Sequence, residues 1–184
     1  MFSYFNIFKK KSLVSTDSLE YSKFNLENIC GDFLVDSVYD GDTITIIVPT
    51  KLYIYNMVSL NTLDINSNNS NNPNKITLNK VKVRLLGIDT PELKPSKNLP
   101  NREEHILKAK EARDFLSNTI LKKVIRVEFL HNDKYGRPLV KLFIKDEYNN
   151  LIYVNNLMVI KGFAKEYDGG TKDNDFTNFV DISF

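Results

Sequence analysis

Short runs of alternating apolar and polar residues dominate the chain and predict strands more often than helices. Phe33 to Val38 reads as one strand and Thr43 to Val48, spelled TITIIV, as a β-branched second. Val81, Val83 and Leu85 alternate with Lys82 and Arg84, which predicts a third strand with one apolar face. Val124 to Leu130 and Leu139 to Ile144 form a further pair, joined by the turn-rich HNDKYGRP. Between the first two strands, Tyr39-Asp40-Gly41-Asp42 predicts a tight turn in which Gly41 takes a positive φ.

The helical period enters later. Ile106, Ala109, Ala112, Leu116 and Ile120, with Phe115 beside them, line one side of a helix reaching about Leu121. Asn101 and Glu104 have the spacing of a capping box at its start. A hairpin through Asn149-Asn150 leads to a second helix, about Val154 to Lys161, with Gly162 as its C-terminal cap. Short strands, a helix, two strands and a final helix predict a small α+β domain with a curled, barrel-like sheet.

Residues 1–28 lack a period and read as a disordered leader, leaving 29–184 as the domain. The tract NSNNSNNPN cannot bury enough apolar area to order itself, so a flexible insertion is expected at about 50–78. From Asp168 the tail is polar until DFTNFVDISF, whose Phe176, Phe179, Val180, Ile182 and Phe184 can form a short packing element.

Composition narrows the function classes. Hydrophobic residues make up 42% and charged residues 26%, enough apolar material for a core. Cys30 is the single cysteine, so no internal disulfide forms, which suits a reducing compartment. The apolar start is followed by Lys9, Lys10 and Lys11, the reverse of a secretory signal, and an intracellular protein is the expectation. No stretch approaches the roughly 18 apolar residues of a membrane span. The net charge of +2 conceals an uneven distribution: residues 75–137 hold 15 Lys and Arg against 8 Asp and Glu. A basic middle segment is what a polyanion-binding face requires, although basic stretches are often only solvated surface.

Four short blocks can carry chemistry. Asp40-Gly41-Asp42-Thr43 is either a polar hairpin turn or a carboxylate offered to a hard cation at a strand edge. Val83 to Glu92 places Asp89 and Glu92 just past an apolar strand, with Pro91 fixing the chain direction between them. Arg84 is out of place in that strand, because an arginine removed from water needs an anionic partner, either a protein carboxylate or a phosphate. Asp133-Lys134-Tyr135-Gly136-Arg137 and Gly162 to Tyr167 add cations and rings, and each alone fits ordinary turn or surface duty. Together they meet the needs of phosphodiester cleavage, which are a cation on the phosphoryl oxygens, donors for the added charge, and positioned water. His105 and His131 are isolated and show no zinc spacing.

The order and spelling of YDGDT, VRLLGIDTPE, AKEARDFL, DKYGR and GFAKEY resemble the staphylococcal nuclease family, from about Asp32 to Tyr167. The resemblance implies a five-stranded OB-type barrel with two or three packed helices, and Ca²⁺-dependent cutting of DNA or RNA with little sequence preference, leaving a 3′-phosphate. It also implies roles. Asp42, Asp89 and the backbone carbonyl of Thr90 match the calcium ligands, with Asp40 supporting them. Glu92 matches the acid that handles the attacking water. Arg84 and Arg137 match the pair that grips the scissile phosphate, and Tyr135 matches a ring of the nucleotide pocket. Lys134, Lys165 and Tyr167 are further candidates for substrate contact. A monomer with no stable protein partner is expected.

Two other readings compete. Repeats of this fold in some scaffold proteins bind RNA or protein without cutting, although those repeats generally lack the carboxylates or arginines that are all present here. Alternatively, Arg84, Asp42 and Asp89 form a satisfied internal ion cluster with no substrate role.

Overall fold

The computed structural model describes residues 26–49, 78–170 and Phe176. Most of the expected leader, the asparagine-rich tract, and Phe179, Val180, Ile182 and Phe184 lie outside the described residues. Leu26, within the expected leader, is buried in the core.

Five strands close into a barrel. β1 (Cys30–Val38), β2 (Thr43–Pro49) and β3 (Leu78–Leu85) are sequential antiparallel neighbours, and β1 also pairs with β5 (Val124–Asn132). β5 pairs antiparallel with β6 (Pro138–Lys145), and β6 returns to β3 in parallel through Arg84 opposite Leu139 and Leu85 opposite Val140. That last pairing closes the sheet and sets the end of β3 beside the start of β6. A two-residue β4 (Ile88–Asp89) pairs with β8 (Lys165–Glu166), and β7 (Leu151–Tyr153) extends the outer edge of β6.

Alternation gives each strand one apolar face, and these faces line the inside of the barrel. Phe33, Val35, Ile44, Ile46, Val48, Val83, Leu85, Val127, Phe129, Val140 and Leu142 all point inward and are buried. Each such side chain contributes about 1.5–3 kcal/mol on leaving water. Phe33 meets Phe129 edge-on with ring centroids 5.5 Å apart.

α1 (Arg102–Ile120) lays His105, Ala109, Ala112, Leu116 and Ile120 on the barrel. Ile106, expected on that face, is only half-buried, and His105 occupies the inner position instead. The capping box does not form. Asn101 has φ 53 and its side chain makes no cap bond; the first turn is held by the His105 amide donating to the Asn101 carbonyl at 3.1 Å. A left-handed residue points its side chain away from the amides that it would otherwise cap.

α2 (Val154–Ile160) packs against β6, and the chain leaves it at Gly162 with φ 73, as the cap predicted. Buried Asn155 is a polar exception on its inner side. Its Nδ2 donates to the carbonyls of Leu86 at 2.8 Å and Val140 at 3.1 Å, and its Oδ1 accepts from the Leu142 amide at 3.1 Å. It thereby ties the loop after β3 to β6.

Candidate active site

The register of β2 on β3 sets Thr43 opposite Arg84, so Asp42, one residue before the strand, lies beside the arginine. Arg84 is buried. Its Nη1 donates to Asp42 Oδ2, and its Nη2 donates to Asp89 Oδ1 at 2.9 Å and to the Ile88 carbonyl at 3.1 Å. The guanidinium therefore bridges two carboxylates from separate parts of the chain. Its side chain is 9% exposed, theirs 4% and 6%.

Asp42 is further held by the Thr43 hydroxyl, which donates to its Oδ1 at 2.8 Å. The Asp42 amide donates to Asp40 Oδ1 at 3.2 Å. Burial pushes the Asp42 carboxyl up to about 7; Arg84 opposes the rise, while Asp40 and Asp89 add to it. Burial alone would lower the Arg84 pKa, but Asp42 and Asp89 more than compensate and raise it, so the guanidinium stays charged.

Gly41 departs from the expected positive φ, which glycines 87, 136, 162 and 169 adopt instead. Its requirement is space. A Cβ there would stand 2.8 Å from Thr90 Cγ2 and 2.9 Å from the Ala112 Cβ. The turn is clamped between the Asp89-Thr90 segment and α1, and Thr90 itself is buried. Gly41→Ala is therefore expected to push the Asp42 turn off Thr90. A thermal melt should show destabilisation of about 1–3 kcal/mol, typical of overpacking, and an unchanged melting temperature would refute the clamp.

Arg137 follows the β5–β6 turn. The Asp133 carboxylate organises that turn by accepting the amides of Tyr135 at 2.8 Å and Arg137 at 2.9 Å. Asp133 Oδ2 also accepts Arg137 Nε at 2.8 Å and contacts Nη2 at 2.7 Å. Because β3 and β6 are neighbours, Arg84 and Arg137 open onto the same cavity of about 560 Å³, along with Lys134, Tyr135 and Tyr167. Tyr135 is 72% exposed, with the Arg137 guanidinium 5.6 Å from its ring centroid. The Arg84 guanidinium lies 6.0 Å from the Tyr167 ring.

The remaining candidates divide. Lys165 pairs with Asp89 across β4 and β8 and lines an adjoining cavity with it. Glu92 is exposed on the loop beyond Thr90. His105 is structural, its ring edge-on to Phe176 at 6.4 Å, and His131 is exposed. Sequence reasoning missed Asp133 and Asn155, which position the loops around the arginines. Asn155 and Asn156 stand together between Val154 and Met158, so the sequence alone did not mark which of them turns inward.

The donor set suits a hard cation. Asp42, Asp89 and Asp40 offer only oxygen, and two of these carboxylates, Asp42 and Asp89, are buried on either side of Arg84. Among the described residues no three His, Cys, Asp or Glu side chains gather closely enough to hold an ion on their own. A bound ion would therefore draw on backbone carbonyl and water oxygens as well, as Ca²⁺ readily does.

A closed five-stranded barrel with two packed helices is an OB-type α+β domain, and the end of β3 opens with Arg84 onto a cavity that Arg137 shares. The staphylococcal nuclease homologue pattern matches residues 82–179, more than half of the 184, and the chain belongs to that family. The match takes in Arg84, Asp89, Thr90, Glu92 and Arg137, and begins after Asp42. An uncharacterized protein of Methanocaldococcus jannaschii is 33% identical over 101 residues, covering 47% of this chain and 48% of the relative. The chain thus spans about half the length of that curated relative. No helix among the described residues is long and apolar enough to cross a membrane.

Proposed function

We propose that the chain is a Ca²⁺-dependent nuclease that hydrolyses DNA or RNA phosphodiester bonds with little sequence preference. The observation that carries this reading is the common cavity: Arg84 and Arg137 open onto it, and Arg84 is bonded to the two acids suited to a cation. Asp42, Asp89 and the Thr90 carbonyl would hold the ion, with Asp40 orienting the Asp42 backbone. When bound, Ca²⁺ would polarise a phosphoryl oxygen.

The chain's own groups account for the other steps. Arg84 and Arg137 would offer to phosphate oxygens the N–H donors left over from Asp42, Asp89 and Asp133, and stabilise the charge that builds as water attacks. Glu92, exposed at the end of the same loop, would orient the water and accept its proton. Tyr135, Tyr167, Lys134 and Lys165 would contact the nucleotides on either side. Asp133 fixes the Arg137 turn, so that cation approaches the phosphate preorganised.

Purified protein should digest single-stranded DNA or RNA with Ca²⁺ and stop with chelator. No cleavage of either polymer across a range of Ca²⁺ and pH would end this reading.

One observation favours a second reading, the internal ion cluster: Arg84 is already bonded to both acids without any phosphate. The two readings differ at Asp42. Its folded-state pKa lies near 7 against an ordinary 3.8, so the fold binds a proton there more tightly than the unfolded chain does. That contribution to stability is complete below about 3.8 and is lost as pH rises through about 7. The nuclease reading predicts that Asp42→Asn flattens this decline, leaves the metal-free protein at least as stable at pH 8, and removes the stabilisation by Ca²⁺. It also predicts that Ca²⁺ affinity of the unaltered protein rises as pH passes through 7, since an ion needs the ionised carboxylate. The cluster reading predicts that Asp42→Asn destabilises the protein with or without the ion. Thermal melts of both proteins at pH 5 and pH 8, with and without Ca²⁺, separate the two.

A further inference from the structure

Three cavities open on the barrel, and Arg84 and Arg137 of the proposed reaction centre line the first. That cavity shares Gly87 and Tyr167 with a second of about 560 Å³, which Tyr153, Asn156 and Lys165 also line. A third, of about 550 Å³, is lined by Lys123, Arg126, Phe143 and Lys145. The second and third are joined by a stacked pair: Phe143 lies on Tyr153 with ring centroids 5.2 Å apart and planes at 27°.

Strand register produces this arrangement. Arg126 is opposite Phe143, and Phe143 is opposite Tyr153, so the three stand side by side across β5, β6 and β7. Val127 and Leu142, one position away along their strands, face the core and are buried. The row therefore lies on the outer face of the sheet, where a ligand can reach it.

Charge is not uniform along the three. Arg84, Lys134 and Arg137 outnumber Asp133 and Asp168 in the first cavity, and Lys123, Arg126 and Lys145 outnumber Asp32, the partner of Arg126, in the third. In the middle cavity Asp89, Glu166 and Asp168 outnumber Lys165, which disfavours phosphate there. What the middle offers is rings, Tyr167 at one end and Tyr153 on Phe143 at the other. Cations at both ends with aromatic faces between them suit a flexible strand whose bases can turn outward and stack, and a duplex keeps its bases inside.

We propose that the three cavities form one track for a single-stranded polynucleotide. Phosphates lie on the two basic ends and bases on the rings between, with the cut made at the Arg84 and Arg137 end. This rests on the nuclease reading, because it takes the first cavity as the cutting site. It deepens that reading by extending the binding site from the cutting end along the outer face of β5, β6 and β7.

The test is fluorescence anisotropy of labelled deoxythymidine 3-mers and 12-mers with chelator present, so that nothing is cut. OB folds occupy about 4–16 nucleotides, so the 12-mer should bind at least about tenfold tighter than the 3-mer. Phe143→Ala should weaken 12-mer binding about tenfold and leave the 3-mer nearly unchanged. Lys145→Glu, a change at an exposed residue, should weaken 12-mer binding and lower its salt dependence, and it decides the matter should the Phe143 variant fail to fold. Equal binding of the two lengths, or unaltered 12-mer binding by the folded variants, overturns the track. Length-dependent binding without any Ca²⁺-dependent cleavage would defeat the nuclease reading and keep the binding track. Cleavage without length dependence would do the opposite.

Discussion

Arg84→Ala is expected to abolish measurable cleavage and to destabilise the fold by about 3–5 kcal/mol at pH 8, because it leaves two buried carboxylates without their cation. The rate loss from removing one preorganised donor to a developing anion is about 10²–10³-fold, and the disturbed acids add to it. The stability loss should shrink towards pH 5, where the Asp42 carboxyl, already pushed up to about 7 by burial, takes up a proton and needs no partner. Arg84→Lys gives the sharper comparison. It restores a charge but reaches Asp42, Asp89 and the Ile88 carbonyl with one ammonium in place of a fork. Partial recovery of the melting temperature without recovery of rate is the expected pattern. Full activity in either variant would remove Arg84 from the chemistry.

Glu92→Gln should act on rate alone. Glu92 is exposed, so the melting temperature should move little. Loss of a positioned general base lowers kcat by about 10²–10⁴-fold, while binding of a single-stranded oligonucleotide under chelating conditions should stay within about twofold of the unaltered protein. A binding module without catalysis predicts no such split, having no rate to lose. An unchanged digestion rate would leave Glu92 without a catalytic role and force the water-handling step onto another group.

The two variants probe different kinds of residue, and they differ in how far local sequence announced them. Arg84 stood out because a cation inside an apolar strand contradicts the strand's pattern, and its need for an anion could be stated before any coordinates. Which anion it meets could not be read that way. The answer is two protein carboxylates, one on the turn before β2 and one on β4, both brought in by strand pairing. Arg137 read as an ordinary hairpin residue, and the parallel contact between β3 and β6 is what gives it a cavity in common with Arg84.

The misreadings at single residues have both local and distant causes. Gly41 was assigned a backbone role from its place in a turn, but its requirement comes from Thr90 and Ala112, which are distant in the chain. The capping box failed at Asn101 because a left-handed φ of 53 turns the side chain away from the helix start. His105 took the inner helix position expected of Ile106, with Phe176 from the tail lying edge-on to it.

Period and composition were enough to place five barrel strands, two helices and their approximate limits, since alternation and helical spacing depend only on near neighbours in the chain. The order and spelling of the five blocks, VRLLGIDTPE above all, were enough to suggest a family by resemblance, while the residue types alone would fit many unrelated proteins. Closure of the barrel, the bridge from Arg84 to Asp42 and Asp89, and the row of Arg126, Phe143 and Tyr153 all required the fold. Each depends on which strands lie side by side and in what register, and register is set by packing of the whole core, since a slip of one residue turns every side chain to the opposite face.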